Sequence, residues 1–245
     1  MIQGMLAVYY REMMILRRRL TRQIPSWCVS PLLYLVAFGY AMGKHVAVDG
    51  HTYMEFLIPG LIAMTSMTQS FAISSEINIA RFYWHIFEEI QAAPVSDAAY
   101  VAGEVMAGMT RGFLAVCIIL IFGRVFGVAQ SYNPMFFAVV LLNSFIFASL
   151  AVGIAMLVKS HADQSLVTNF VITPMAFLGG TFFPLKSLPV WAQTVVHLLP
   201  LTHASKAIRA ASFGQTPETS SLLILIIVGL LFFSLAVFFV SKAKD

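Results

Sequence analysis

Six apolar runs, largely free of charge, restrict this 245-residue chain to very few architectures. They fall at about 27–43, 56–75, 98–127, 135–158, 165–183 and 222–240. A bilayer core takes about 20 apolar residues as a helix, and with flanks and tilt each run approaches or passes that length. Only 11% of the residues are charged against 59% hydrophobic, whereas soluble domains carry about a quarter charged. The runs therefore predict an all-α integral membrane protein with six transmembrane helices rather than one greasy soluble core. Pro31, Gly39 and Gly43 lie in the first run, Pro59-Gly60 opens the second, and the turn Ser131-Tyr132-Asn133-Pro134 precedes the fourth.

The stretch from Gly179-Gly180 to Arg209 breaks this pattern. It follows Pro174 in the fifth run and continues through Thr181, Phe182, Phe183, Pro184, Pro189, Trp191 and Pro200, with His197 and His203. Lipid offers no hydrogen-bond partners, so backbone that leaves helical geometry at this depth must be buried in protein or line a wet cavity. Such a stretch signals embedded machinery rather than an anchor.

Ahead of the runs, residues 2–24 form an amphipathic pattern. Leu6, Tyr9, Met13, Leu16 and Leu20 fall within an arc of about 80°, with Arg11, Arg18 and Arg22 on the opposite side. This predicts a helix in the headgroup layer, its basic face toward the cytoplasm and anionic lipid. A cleavable signal peptide is not expected, because Arg17–Arg19 follow a mixed segment instead of preceding an apolar run. With the N-terminus inside, the inner segments hold Arg11, Arg17, Arg18, Arg19, Arg22, Arg81, Lys159, Lys242 and Lys244, and the outer ones Lys44, Arg124, Lys186, Lys206 and Arg209. That bias puts both termini in the cytoplasm and the Gly-Gly stretch on the outer side. The formal charge of +4 thus reports topology, not nucleic-acid binding.

The inner segment 76–97 alternates aromatic and acidic residues from Glu76 through Arg81, His85, Glu88 and Glu89 to Pro94. Pro94 followed by Ser96-Asp97 gives a helix stop and a new start. A short surface helix exposing Glu88 and Glu89 would suit a soluble partner, and an ordinary interfacial connector fits the same residues. Within the third run, Glu104 and Arg111 are intramembrane ionisable residues, about two turns apart on one face. Such residues are functional candidates by default, but Gly103, Gly108 and Gly112 beside them also fit a closely packed structural helix.

Most site chemistry is missing. There is no Gly-x-x-x-x-Gly-Lys-Ser/Thr phosphate loop, no His-Glu-x-x-His, no Cys-x-x-Cys and no Gly-x-Ser-x-Gly. No catalytic residue and no metal site are predicted; His85 with Glu88 or Glu89 is too sparse a ligand set. Cys28 and Cys117 read as small core residues.

Three separated motifs carry a resemblance: Tyr53-Met-Glu-Phe-Leu-Ile-Pro59-Gly60-Leu, Glu88-Glu89-Ile-Gln-Ala-Ala-Pro94-Val-Ser, and Gly179-Gly-Thr-Phe-Phe-Pro184 with Leu188-Pro-Val-Trp191 and Pro200-Leu-Thr. Together they resemble the membrane subunit of type-2 ABC exporters, in the branch of YadH and NodJ, the latter exporting lipo-oligosaccharides. The resemblance covers essentially the whole chain. It implies a homodimer of permease chains in the bacterial inner membrane, two copies of a cytoplasmic ATPase subunit, and ATP and Mg held by that subunit, with no cofactor on this chain. It implies that residues 2–24 (with Arg11 and Arg18) and the segment 76–97 (Arg81, Glu88, Glu89, Pro94) face the ATPase. It places two re-entrant outer helices at about 184–196 and 200–212. It puts the path and gate along the first and fifth spans, at Pro31, Gly39, Pro174, Phe177, Gly179, Gly180, Phe182, Phe183, Pro184 and Trp191. The implied function is outward movement of an amphipathic substrate, such as a lipid-linked saccharide, lipo-oligosaccharide or drug-like molecule.

Two other classes fit parts of the pattern. A secondary transporter or channel also uses broken helices, but needs an ion site and usually internal repeats, and the two halves show no clear similarity. An intramembrane lipid-modifying enzyme needs a convergent acid–base or nucleophile set, which these residues do not assemble.

Overall fold

The computed structural model describes residues 1–40, 47–48, 50–128, 130 and 132–243. Residues 41–43 of the first predicted span, Lys44, Ser131 and Lys244 lie outside the described residues.

The first helix, α1 (Ile2–Tyr34), continues through a wider π-type turn over Leu35–Tyr40. The predicted interface helix and first span are therefore one helix, with Pro25 and Pro31 inside it. Each proline removes one helical hydrogen bond, which bends a helix without having to end it. The face turned to the bundle is Val8, Glu12 and Leu16. On the helical wheel it is rotated by about 80° from the centre of the predicted apolar stripe.

A short hairpin of β1 (Ala47–Val48) and β2 (His51–Thr52) turns at Gly50, whose φ of +84° suits only glycine, and leads into α2 (Tyr53–Phe71). A reciprocal cap starts α2: Glu55 N–H donates to Thr52 Oγ1 at 3.3 Å, and Thr52 N–H donates to the Glu55 carboxylate at 2.8 Å. The helix thus begins before the predicted 56, with Pro59-Gly60 inside it. After one bend at Ala72 it resumes as α3 (Ile73–Phe82), so Glu76 and Arg81 belong to its C-terminal extension rather than to a loop. The rest comprises α4 (Ile86–Ala92), α5 (Asp97–Val125), α6 (Pro134–Leu157), α7 (His161–Val167), α8 (Thr173–Leu178), α9 (Val190–His197), α10 (Pro200–Ser212) and α11 (Thr219–Lys242). Asn133 caps α6 and Ser160 caps α7.

Among the described residues, four helical stretches are long and apolar enough to cross a membrane: Tyr53–Phe82, Asp97–Val125, Pro134–Leu157 and Thr219–Lys242. The predicted first span is continuous with an arginine-rich helix. The predicted fifth run is divided into α7, a π-type turn over Thr168–Ile172, and α8. The most apolar part of the second helix is 83% buried and that of α11 only 22%, so the second helix is the axis of the bundle and α11 turns Ile227, Leu230 and Leu231 outward. Where α5 crosses α2 and α6, Gly108 and Gly112 let the backbones approach; a Cβ on Gly112 would lie 2.2 Å from Ser70 Oγ. Asn143 seals this seam by donating to the Ala63 carbonyl at 3.0 Å and to Ser66 Oγ at 2.7 Å.

Candidate functional site

At the arginine-rich end, three helices meet through charge. Glu12 and Glu104 are 6% and 1% exposed, and Arg111 is 8% exposed. An unpaired ion so buried would cost several kcal/mol. Arg11 Nη1 lies 2.7 Å from Glu12 and 4.0 Å from Glu104, joining α1 to α5. Glu76 on α3 takes Arg19 of α1 at 2.7 Å on one oxygen and Arg111 of α5 at 3.4 Å on the other. Three carboxylates thus face three guanidinium groups. Burial pushes the Glu12 carboxyl above its ordinary range, against the pull of Arg11. Glu104 and Arg111, two turns apart on α5, pair with different helices rather than with each other.

Beside this seam, Phe87 of α4 is buried and meets Tyr100 edge-on at 5.5 Å, while Glu88 and Glu89 on the same short helix are exposed. His85 precedes them in a left-handed conformation, φ 54°, with Nδ1 3.4 Å from Glu88. Arg81 points inward: it donates to the carbonyls of Ala155 and Met156 at 3.1 and 2.9 Å, satisfying the C-terminal end of α6. Pro94 is exposed, and the adjacent Val95 packs on Gly4 of α1. A groove of about 430 Å³ runs between Ile86 of α4 and Tyr10, Arg11, Met14 and Arg18 of α1. The structure therefore brings Arg11, Arg18, Glu88 and Glu89 to one end, with Arg11 committed to buried partners. Glu12 and the role of Glu76 escaped the sequence reading. Their signal is an acid on the Val8–Leu16 stripe of an otherwise basic helix, and an acid directly after an apolar run.

At the opposite end of α1, the Gly-Gly break is built into the protein. Gly180 has φ +77°, which the turn out of α8 requires. Its carbonyl accepts from Arg209 at 2.9 Å, the Gly179 carbonyl accepts from Ser205 at 2.6 Å, and the Phe182 carbonyl accepts from Tyr53 at 2.7 Å. Arg209 also lies 3.9 Å above the Phe56 ring. Gly60 makes the fit possible, since a Cβ there would stand 2.4 Å from the Thr181 carbonyl oxygen. Phe182, itself buried, gathers Tyr34, Phe38 and Phe177 at ring distances of 5.0, 5.1 and 5.2 Å. Pro31 is buried, and Met54 fills the space beside Gly39. Phe183 is half-buried, Pro184 precedes a single 3-10 turn, and Pro174 opens α8. Trp191 alone stands away, 74% exposed at the start of α9. Between the two ends, a cavity of about 240 Å³ carries the hydroxyls of Ser30, Thr65, Thr68 and Thr173 beside Trp27 and Phe177. Among the described residues no group of three or more metal-ligating side chains converges, and Cys28 and Cys117 are unbridged.

Residues 3–213 match the family described as ABC-2 type transporter. The chain is similar to the inner membrane transport permease YadH of Escherichia coli strain K12, 33% identical over 190 residues, 76% of this chain and 73% of that protein. It is similar to nodulation protein J of Rhizobium meliloti, 30% identical over 213 residues, 86% of this chain and 81% of that protein. Nodulation protein J of Rhizobium leguminosarum bv. viciae matches at 30% over 216 residues, 86% of this chain and 82% of that one.

Proposed function

This chain belongs to the ABC-2 type transporter family, and from that premise we propose that it is the permease subunit of an ATP-driven exporter, working as a homodimer with two copies of a separate ATPase chain. In this reading six segments cross the inner membrane, α1 beyond Pro25 and the α7–α8 segment completing the four long stretches. The arginine-rich end and both termini face the cytoplasm, in line with the excess of Lys and Arg there. The helices α9 and α10 re-enter from the outer side. ATP and Mg belong to the partner, and this chain supplies the path.

The observation that carries the proposal is the build of α4. Phe87 anchors it in the bundle, Arg81 ties the preceding turn to the end of α6, and Glu88 and Glu89 remain outside. A partner that grips those carboxylates moves a piece already fastened to two spans, so its closure becomes a rigid-body shift of the bundle. The substrate is an amphiphile that enters from the inner leaflet and follows α1 and α8. Hydroxyls of the lateral cavity meet its polar part, and the ring cluster around Phe182 gates its exit. Charge reversal at Glu88→Lys with Glu89→Lys is the test. Co-purification of the ATPase should fall by an order of magnitude or more while membrane insertion is unchanged; unaltered co-purification and export would overturn the docking assignment.

A further inference from the structure

A cavity of about 10 Å³ lies in the charge seam, where α1 and α3 meet α5. Glu12, Arg19 and Gln23 line it from α1, Glu76 from α3 and Arg111 from α5, with Leu16, Ile73 and Ala107 in its apolar wall. That volume is room for one water sphere and for nothing larger. Two polar atoms are left over at this place. Gln23 Oε1 and Arg111 Nε are both buried, and neither has a hydrogen-bond partner among the described residues. Arg111 spends Nη1 on Glu76, which leaves Nε unserved. Glu12 takes Arg11 on Oε1, and no described residue donates to its other oxygen.

Buried polar groups left bare are costly, and such groups in a folded protein are nearly always served. The lining dictates by what. Two carboxylates and two guanidinium groups balance each other, so neither a cation nor an anion would find a net counter-charge here. The atoms to be served are one donor, Arg111 Nε–H, and two acceptors, Gln23 Oε1 and the second oxygen of Glu12. A water molecule accepts one hydrogen bond and donates two, and buried waters typically make three.

We propose that this cavity is a binding site for a single water molecule, which bridges Arg111 of α5 to Gln23 and Glu12 of α1. Gln23 is then a positioning residue of the seam, although its side chain makes no direct hydrogen bond among the described residues. The bridge is also a soft joint. With it α1 shifts against α5 by re-aiming one water, where a direct bond from Gln23 to Arg111 would have to break. The site holds whichever way cargo moves and whichever partner docks.

Radiolytic footprinting of the full chain in lipid nanodiscs tests the site, because X-rays make hydroxyl radicals from bound water as well as from bulk. Ile73 and Leu16 in the cavity wall are 1% and 5% exposed, and Ile62 and Ile119, outside this cavity, are fully buried. Under X-rays Ile73 and Leu16 should be oxidised an order of magnitude faster than Ile62 and Ile119. Radicals made only in bulk, by peroxide photolysis, should show no such excess. Gln23→Met, close in length but without the amide, should remove the excess at both residues. Ala107→Val, which fills the cavity from α5, should do the same by a route that leaves Gln23 intact. An excess under X-rays alone that disappears in the variants supports the site. No excess in the unaltered chain, an equal excess with bulk radicals, or an excess that survives either variant overturns it.

Discussion

Both ends of α1 bury polar groups, but by opposite means. At the arginine-rich end the groups are side-chain charges: Glu12, Glu76 and Glu104 facing Arg11, Arg19 and Arg111 from three helices. At the other end they are backbone carbonyls left by the Gly-Gly break, taken by Ser205, Arg209 and Tyr53. The first arrangement is written in side chains, so removing a whole pair leaves no orphan. The second is written in the main chain, and the carbonyls remain whatever is substituted around them. A seam of charges tolerates rewriting in pairs, whereas a broken helix depends on the space and donors its neighbours supply.

The contrast can be broken at several points. Gly60→Leu should have the largest effect, because its side chain meets the Thr181 backbone, which cannot swing aside. A loss of about 3 kcal/mol or more is expected, read as failure to give a monodisperse, thermally stable species in detergent. Glu76→Gln should cost about 3 kcal/mol by stranding Arg111, and the double variant Glu76→Gln/Arg111→Gln should recover part of it. A double variant as unstable as the sum of the two singles would show that the seam is not one coupled network. Ser205→Ala should cost about 2 kcal/mol by orphaning the Gly179 carbonyl, with no partial rescue from any second side-chain deletion. Tyr53→Phe should be mildest, about 1 kcal/mol, since the Phe182 carbonyl loses a single neutral donor. Thermal unfolding in one detergent ranks the last three.

Much of this was legible in the residues. Lipid forbids unsatisfied backbone, so Gly179-Gly180 with the prolines beyond it had to mark structure embedded in protein, and there it is. The surface helix at 86–92 was legible from Pro94, the restart at Ser96-Asp97 and the adjacent acids Glu88 and Glu89. What satisfies the Gly-Gly carbonyls was not, because Ser205 and Arg209 lie on another helix and no local pattern links them to the break. That Glu12 turns to the bundle was not legible from the apolar stripe of α1, because Arg11 is what makes Glu12 a residue that can be buried. Counting Glu76 and Arg81 as loop charges shortened the second helix; both find partners inside the protein. The fifth run looked continuous because Thr and Asn interrupt hydropathy only weakly. There Thr168 and Thr173 return hydrogen bonds to their own backbone, Thr173 five residues back, where the helix widens.

The unbroken course of α1 has a mechanical consequence. Its 33 residues measure about 50 Å, from Gly4 against Val95 to Tyr34 in the ring cluster around Phe182. Such a rod is a lever with a load at each end. Clamped on the seam of charges, a tilt of about 10° over that length becomes a swing of several ångströms, more than the width of an aromatic ring. Pro25 and Pro31 then act as the lever's compliance, setting how much of a push at the arginine-rich end reaches the ring cluster around Phe182 and how much is lost in bending.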